Sequence, residues 1–450
     1  SNLCLSVVRE LNDANDNALF NLAVAAHVNL HGEAMLAAAD AAREAGNAPN
    51  TAIASAVALL GPKRVDGARQ AADTLTELFA HSGLLKGDDE ESAVTPAGAT
   101  LEQLATLLGD APDAQAEAML KAFDKRGAKS AFVRYLRSLN GNPTTDAVIA
   151  ALTTTVAWEP LMRKRISRLT VRNLPWYAHL FAVIIGASTD GKNHQPDSFC
   201  GIGNQEILES WSVGQIGYLA LLGERPTAAG LFPFEVLLGL IISNGVGTIS
   251  AQGCKGAVSA DGPESPERVQ INKGMIGFLT HTGFAHGGNG YEGIQFLIES
   301  FNDTALNDAG AANHGLDLKA MATKFALAFN QEKKAGRALG LPVRNIPGVN
   351  HPVFKGQSVN KDPREVYITE LFEERNEKNV FHDFYRALVQ KLYDEGVSRN
   401  VYCVNIDAVI AALLLKTVWP AYRTGTIKAD ALETAAFTIF LYARMLGCAA

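Results

Sequence analysis

Asp146-Ala-Val-Ile-Ala-Ala-Leu152 returns without change as Asp407-Ala-Val-Ile-Ala-Ala-Leu413, and Trp158 returns as Trp419 at the same offset of 261 residues. In a chain of ordinary composition, a seven-residue coincidence of this kind is on the order of one in a thousand, before the alanine-rich bias of helices is counted. A second register agrees with the first. At an offset of 222, Gly61, Leu75, Glu77 and Phe79 meet Gly283, Leu297, Glu299 and Phe301. Self-similarity at fixed offsets is the mark of repeated modules. The difference between 261 and 222, 39 residues, measures extra sequence in the second module, between Phe301 and Asp407.

Working outward, alanine-rich segments with apolar residues every three or four positions dominate the chain, at 21–44, 70–85, 146–156, 234–242, 291–301 and 407–417. That period belongs to helices, and alternating strand-like runs are scarce. Gly61-Pro62, Asn142-Pro143 and Pro347-Gly348 punctuate the helices. The fold class expected is all-α. The polar, breaker-rich run Ser188 to Ser198 reads as a linker. The division expected is a first helical module over 1–190, a linker over 191–200 and a second module over 201–450, with an insertion at about 310–400 that includes the loop-rich stretch 340–364.

Composition narrows the function. The chain has 450 residues, 47% hydrophobic and 19% charged, which is enough for a sizeable core. No run reaches the roughly 18 uninterrupted apolar residues of a membrane span, and the longest candidate is broken by Lys416, so no membrane role is expected. The formal net charge of −7 offers no global field for nucleic acid. Any anionic ligand must meet a local cluster. The five cysteines are odd in number, scattered and never paired as C-x-x-C. A disulfide framework or structural zinc is therefore unexpected, and a reducing cytoplasm fits best. The start, Ser1-Asn2-Leu3, has no Met and no signal-peptide core, and reads as trimmed.

Three segments of the second module join turn glycines to a titratable residue: Gly283-Phe-Ala-His286-Gly-Gly288, Gly348-Val-Asn-His351 followed by Asp362-Pro363-Arg364, and Asn405-Ile-Asp407-Ala408. With Arg444-Met-Leu-Gly447, these resemble, in the same order, motifs of the citrate synthase superfamily, which includes citryl-CoA lyase and the C-terminal module of ATP-citrate lyase. The resemblance covers residues 201–450 well and the first module faintly. It implies a citrate synthase-like helical fold in two tandem related modules, the second with an inserted small domain and the first a degenerate copy.

The resemblance also implies roles. Forming or breaking a carbon–carbon bond beside a CoA thioester needs a base for the α-proton, a donor for the enolate oxygen and a donor to the acceptor ketone. Asp407, His286 and His351 match those roles in that order. Arg364 and Arg444 match the cations that hold a dicarboxylic 2-oxo acid. Asn244 stands where a substrate-binding histidine is common in the family. CoA is expected beside the His351 loop, with Gly348, Lys355 and Lys361 in contact. No bound cofactor or metal is implied; the CoA thioester is a substrate.

Each residue also has a plainer reading. Asp407 precedes an apolar helical run, and Asp is a favoured helix N-cap; Asp146 sits identically in the first module, where Arg64 occupies the place of His286. His286 could be a helix-start residue, His351 a surface loop residue, Arg364 a surface ion-pair partner and Arg444 a helix-face residue. Gly288-Asn-Gly-Tyr-Glu-Gly293 is literally G-x-G-x-x-G, but no strand precedes it, so no dinucleotide site is expected. His27 and His31 have metal-like spacing without a third ligand. Arg163-Lys164-Arg165, Arg168 and Arg172 form the densest basic patch, ordinarily a solvated helix face.

Departures from the family include Asn350 at the second glycine of the loop and Asn244 in place of histidine; the family's basic tail, which would follow R-x-x-G, is expected to be trimmed off, unnecessary or supplied by the first module. The first module is expected to pack as a degenerate partner of the second, within a chain or between chains of a homo-oligomer, with the 163–172 patch replacing that tail. The leading reading is a citrate synthase-type condensation of acetyl-CoA or propionyl-CoA with oxaloacetate. Its alternatives are citryl-CoA lyase, which needs the same groups, and a catalytically impaired CoA- or dicarboxylate-binding scaffold or regulator.

Overall fold

The computed structural model describes residues 13–91, 96–243, 245–262, 266–283, 286–287, 289–342 and 345–449. Helices dominate them, and strands are confined to two-residue pairings. The all-α expectation holds. The chain divides into two compact units, residues 1–227, 241–282 and 441–450 in the first and 228–240 and 283–440 in the second.

The first unit is built around the Thr145–Met162 helix, which carries the repeated heptapeptide and buries every residue from Ala147 to Trp158. A helix that is apolar all round cannot lie at a surface. The Ala14–Ala25, Asp66–Phe79, Ala131–Ser138 and Arg168–Gly186 helices pack against it. Thr144 starts it, its hydroxyl accepting from the Ala147 N–H; Ser130 and Ser167 cap two of its neighbours in the same way.

Segments from beyond the expected linker also pack in this unit. The Ile271–Thr280 helix lies on Ile249–Ser259 and Pro49–Ala58, where the buried Asn50 side chain donates to the Leu279 and Thr282 carbonyls at 3.0 Å each. The compact units therefore cut across the 1–190 and 201–450 division. Residues 194–203 form a three-stranded antiparallel meander in place of an irregular linker. Its His194 is 1% exposed and accepts the Leu30 N–H at Nδ1, 2.9 Å away.

The second unit repeats the plan around the Ile406–Arg423 helix, buried over Ala408–Leu415. The Asn289–Phe301 and Val380–Asp394 helices flank it, and Leu318–Ala338 packs on Val380–Asp394. The 310–400 segment thus contributes core side chains to this unit: Phe381, Phe384, Tyr385 and Leu388 are all buried.

Local geometry recurs between the units. The Trp158 indole donates to the Leu84 carbonyl and the Trp419 indole to the Leu306 carbonyl, both at 3.0 Å. Leu84 and Leu306 are related by the second register of the sequence. Phe132 lies between Phe79 and Trp158 at 4.7 and 5.1 Å; Phe381 lies between Phe301 and Trp419 at 5.0 and 5.1 Å. The Ala131 N–H donates to Gly87 at 2.8 Å, and the Val380 N–H to Ala309 at 2.9 Å.

Among the described residues one helix, Ala429–Ala449, is long and apolar enough to cross a membrane by composition. Its apolar stretch is 72% buried within the protein, as in a core helix. Four described cysteines, Cys200, Cys254, Cys403 and Cys448, are free thiols.

Candidate functional site

In the second unit, the loop bearing His351 is sewn to the start of the helix bearing Asp407. The Asn405 N–H donates to Gly348 O at 2.9 Å, the Asn350 N–H to Cys403 O at 2.8 Å, and the Asn405 side chain to Asn350 O at 2.8 Å. Val349 and Val404 form an antiparallel bridge. Gly348 has φ +76°, and a Cβ there would stand 2.6 Å from Ala408 Cβ. Only glycine allows the loop so close to the helix.

Asn350, where a second glycine was looked for, has φ +72°. Asparagine enters the left-handed region more readily than most residues, so the turn survives the substitution. The Asn350 Oδ1 is buried without a hydrogen-bond partner among the described residues, and the residue borders a cavity of about 240 Å³ with Lys333 and Tyr402.

The N-cap of the Ile406–Arg423 helix is Asn405, whose side chain accepts from the Asp407 and Ala408 N–H groups at 2.9 and 3.3 Å. The plainer reading of Asp407 as the cap is therefore corrected. In the first helical turn, its negative charge is favoured by the helix dipole. That charge reaches Tyr385, whose phenol is fully buried, has no hydrogen-bond partner among the described residues, and is pushed well up by burial first and by Asp407 second. Sequence reading gave no signal for Tyr385, because an aromatic at a helical core spacing looks like any other.

His351 is held in one tautomer. Its Nδ1 accepts the Val353 N–H at 3.1 Å, and a backbone N–H can only donate. In the neutral ring the proton is then on Nε2. Burial, followed by the Arg364 charge, lowers its basicity and keeps it neutral, against a smaller opposing effect of Asp362. The ring stacks on Phe354, 4.7 Å between centroids, and the Arg364 guanidinium lies 5.8 Å over the same ring.

Arg364 is no surface ion pair. Its Nε and Nη2 donate to the two oxygens of Asp362 at 2.9 and 2.7 Å, and Asp362 is fully buried at the N-cap of Pro363–Glu374. A guanidinium has five N–H donors, so three remain for another carboxylate.

His286 closes a tight turn: its N–H donates to Gly283 O at 2.9 Å and its carbonyl accepts from Gly283 N at 3.1 Å. Its ring meets the Phe440 ring edge to face at 5.5 Å. The turn continues into the Asn289–Phe301 helix, whose Gly290 and Gly293 face Ile410 and Ala411. Those glycines of the G-x-G-x-x-G run serve helix packing; Gly288 lies outside the described residues.

The remaining expected residues fall as follows. Lys355 and Lys361 are exposed. Asn244 lies outside the described residues. Arg444 belongs to the first unit, 4% exposed, donating to Ile241 O and Ser250 Oγ at 3.1 Å each. His27 stacks on His179, and no metal-holding group occurs among the described residues. In the basic patch, Arg163 pairs with Glu159, and Arg172 with Asp73 at 3.1 Å.

No protein-family model matches the chain, and no curated protein matches it in sequence. Among solved structures it is similar to citryl-CoA lyase from Hydrogenobacter thermophilus, at 19% identity over 56% of this chain and 78% of that one, with a TM-score of 0.39. It is similar to citrate synthase from Thermoplasma acidophilum in ternary complex with carboxymethyl coenzyme A and oxaloacetate, at 14% identity over 85% and 81%, TM-score 0.39. It is also similar to citrate synthase from Pyrobaculum aerophilum, at 12% identity over 100% and 72%, TM-score 0.40. Superpositions of this extent carry no residue roles from those proteins to this chain.

Proposed function

We propose that the chain is an acyl-CoA enzyme of citrate synthase type, condensing a short acyl-CoA with oxaloacetate at the second unit. One observation carries the reading: His351, fixed as an Nε2–H donor, sits in a loop hydrogen-bonded to the start of the helix that bears Asp407, whose carboxylate is not the helix cap. Asp407 takes a proton from the carbon beside the thioester. The electron pair moves onto the thioester oxygen, where His286 holds it, and the enol carbon attacks the ketone. The ketone oxygen receives its proton from His351 Nε2, and water then releases the CoA thiol. Each such proton transfer is worth about a hundred- to ten-thousandfold.

Arg364, with three N–H groups left beyond Asp362, suits a substrate carboxylate. Lys355 and Lys361, exposed beyond the His351 loop, suit the CoA phosphates, with Gly348 at the loop's turn. The recurring indole and aromatic contacts support the two units' central helices as related copies. Oligomerisation through the first module and a reducing cytoplasmic setting belong to the same reading.

The test follows thiol release from acetyl-CoA or propionyl-CoA with oxaloacetate, and acetyl-CoA formation from citryl-CoA, for wild type and Asp407→Asn. Turnover in either direction that Asp407→Asn abolishes supports the reading, and the faster direction names the activity. Turnover untouched by the substitution removes Asp407 from the chemistry. Binding without turnover of any pair makes the chain a CoA or dicarboxylate binder.

A further inference from the structure

The first unit holds a cavity of about 450 Å³ that none of the steps above uses. His27, Asn29, Glu33, Arg64, Asp146 and His179 border it. The His27 and His179 rings stack in parallel, 3.8 Å apart and within 7°. Among the described residues, neither imidazole has a hydrogen-bond partner, and neither has the Asp146 carboxylate. Polar groups so placed open onto the cavity, where water or a ligand satisfies them.

The charges in the lining are of both signs and separated. Burial depresses both imidazoles, aided at His27 by the Arg64 charge and at His179 by His27 and then Arg64: His27 is pushed down to about 4 and His179 well below its ordinary value. The rings are therefore neutral, each with one donor and one acceptor nitrogen. Asp146 is raised first by burial and then by the negative charge of Asp113. Arg64 comes to the cavity from the Pro62–Val65 turn and Asp146 from the first turn of the Thr145–Met162 helix.

Arg64 already pairs with Glu33, so the lining carries one positive and two negative groups. A simple anion would add a third negative charge against one positive. A simple amine would engage Asp146 alone and make no use of the Arg64 charge. A zwitterion adds no net charge, and brings a carboxylate for Arg64 and an ammonium, with three N–H donors, for Asp146 and the imidazole acceptors.

We infer that the first unit binds a small α-amino acid in this cavity, its carboxylate on Arg64 and its ammonium on Asp146. The site is separate from the proposed acyl-CoA chemistry and stands whether or not that reading holds.

The test is calorimetry and thermal unfolding of the full chain with a panel of the standard protein amino acids, each alongside its N-acetyl and carboxamide forms. An amino acid is expected to bind and raise Tm, and blocking either end is expected to weaken binding by about tenfold or more, about 1.4 kcal/mol. Arg64→Gln and Asp146→Asn should each weaken it similarly, while Asp407→Asn should leave it intact. No binding by any member of the panel overturns the inference. So does equal binding of the blocked forms, a result that needs no variant to fold, and so does loss of binding in Asp407→Asn.

Discussion

Asp146 and Asp407 occupy the same place in two helices that open with one heptapeptide, yet their surroundings share almost no polar chemistry. Asp407 follows an Asn cap and faces a buried phenol, beside a loop that presents a neutral histidine and a carboxylate-bound arginine. Asp146 follows a Thr cap and lies against Gly67, in a cavity with two stacked imidazoles and Arg64. Counted through the repeat, Arg64 stands where the other unit has His286, and His179 where it has Phe440. The apolar frame, with its tryptophan, phenylalanine pair and caps, is thus indifferent to which polar residues are hung on it. Similar scaffolds support different sites because packing and chemistry are specified by different positions.

The sharpest way to separate the two regions is through turnover. Asp407→Asn is expected to lower thiol release by about a hundred- to ten-thousandfold, with the circular dichroism unchanged because Asn405 keeps the cap. A loss under tenfold would put Asp407 on the same non-catalytic footing as Asp146.

Next in size is the loss of the Arg364 guanidinium, whose carboxylate partner is fully buried where that of Arg64 is partly exposed. Arg364→Ala leaves Asp362, fully buried, without its cation, and breaking a buried pair from one side costs about 3–5 kcal/mol. Urea unfolding measures it; a cost below about 1 kcal/mol, the range of exposed pairs, would show that the pair is solvated.

The imidazole stack makes the first unit acid-sensitive. Because His27 is held neutral down to about 4 when folded, the unfolded chain binds more protons than the folded one between there and the ordinary histidine value near 6.5. Stability is therefore complete above about pH 6.5 and falls as the pH drops towards 4. His27→Gln should flatten that slope in Tm measured across pH. An unchanged slope would assign the acid sensitivity elsewhere.

The smallest expected effect tests the likeness itself. Trp158→Phe and Trp419→Phe each remove one indole N–H from a buried carbonyl, a loss of about 1–3 kcal/mol. Matched losses fit equivalent environments; a several-fold disparity would break the equivalence.

The helical class and the two central helices could be read in the sequence, because the heptapeptide, the flanking Trp and the caps are local signals. His286, His351 and Asp407 stood out beside their turn glycines, and Arg364 only through the resemblance of Asp362-Pro363-Arg364 to a family motif. Their partners did not. Asn405 and Asp407 are both good caps on paper, and only the hydrogen bonds decide between them. The pairing of His27 with His179 joins residues far apart in the chain, and local spacing pointed instead to His31. The packing of 241–282 with residues 49–58 is likewise a long-range event, so a polar run at 188–198 looked like a boundary while it forms a buried-histidine meander. Tyr385 had no signature because burial, not sequence spacing, makes its hydroxyl unusual.

Trp158 and Trp419 are both fully buried, one in each unit. Their indoles are therefore internal fluorophores in near-identical dry settings, whose emission shifts to longer wavelength only when water enters. Chains keeping one or the other convert the opening of each unit into its own optical signal, so the order in which the two units unfold can be watched without attaching any label.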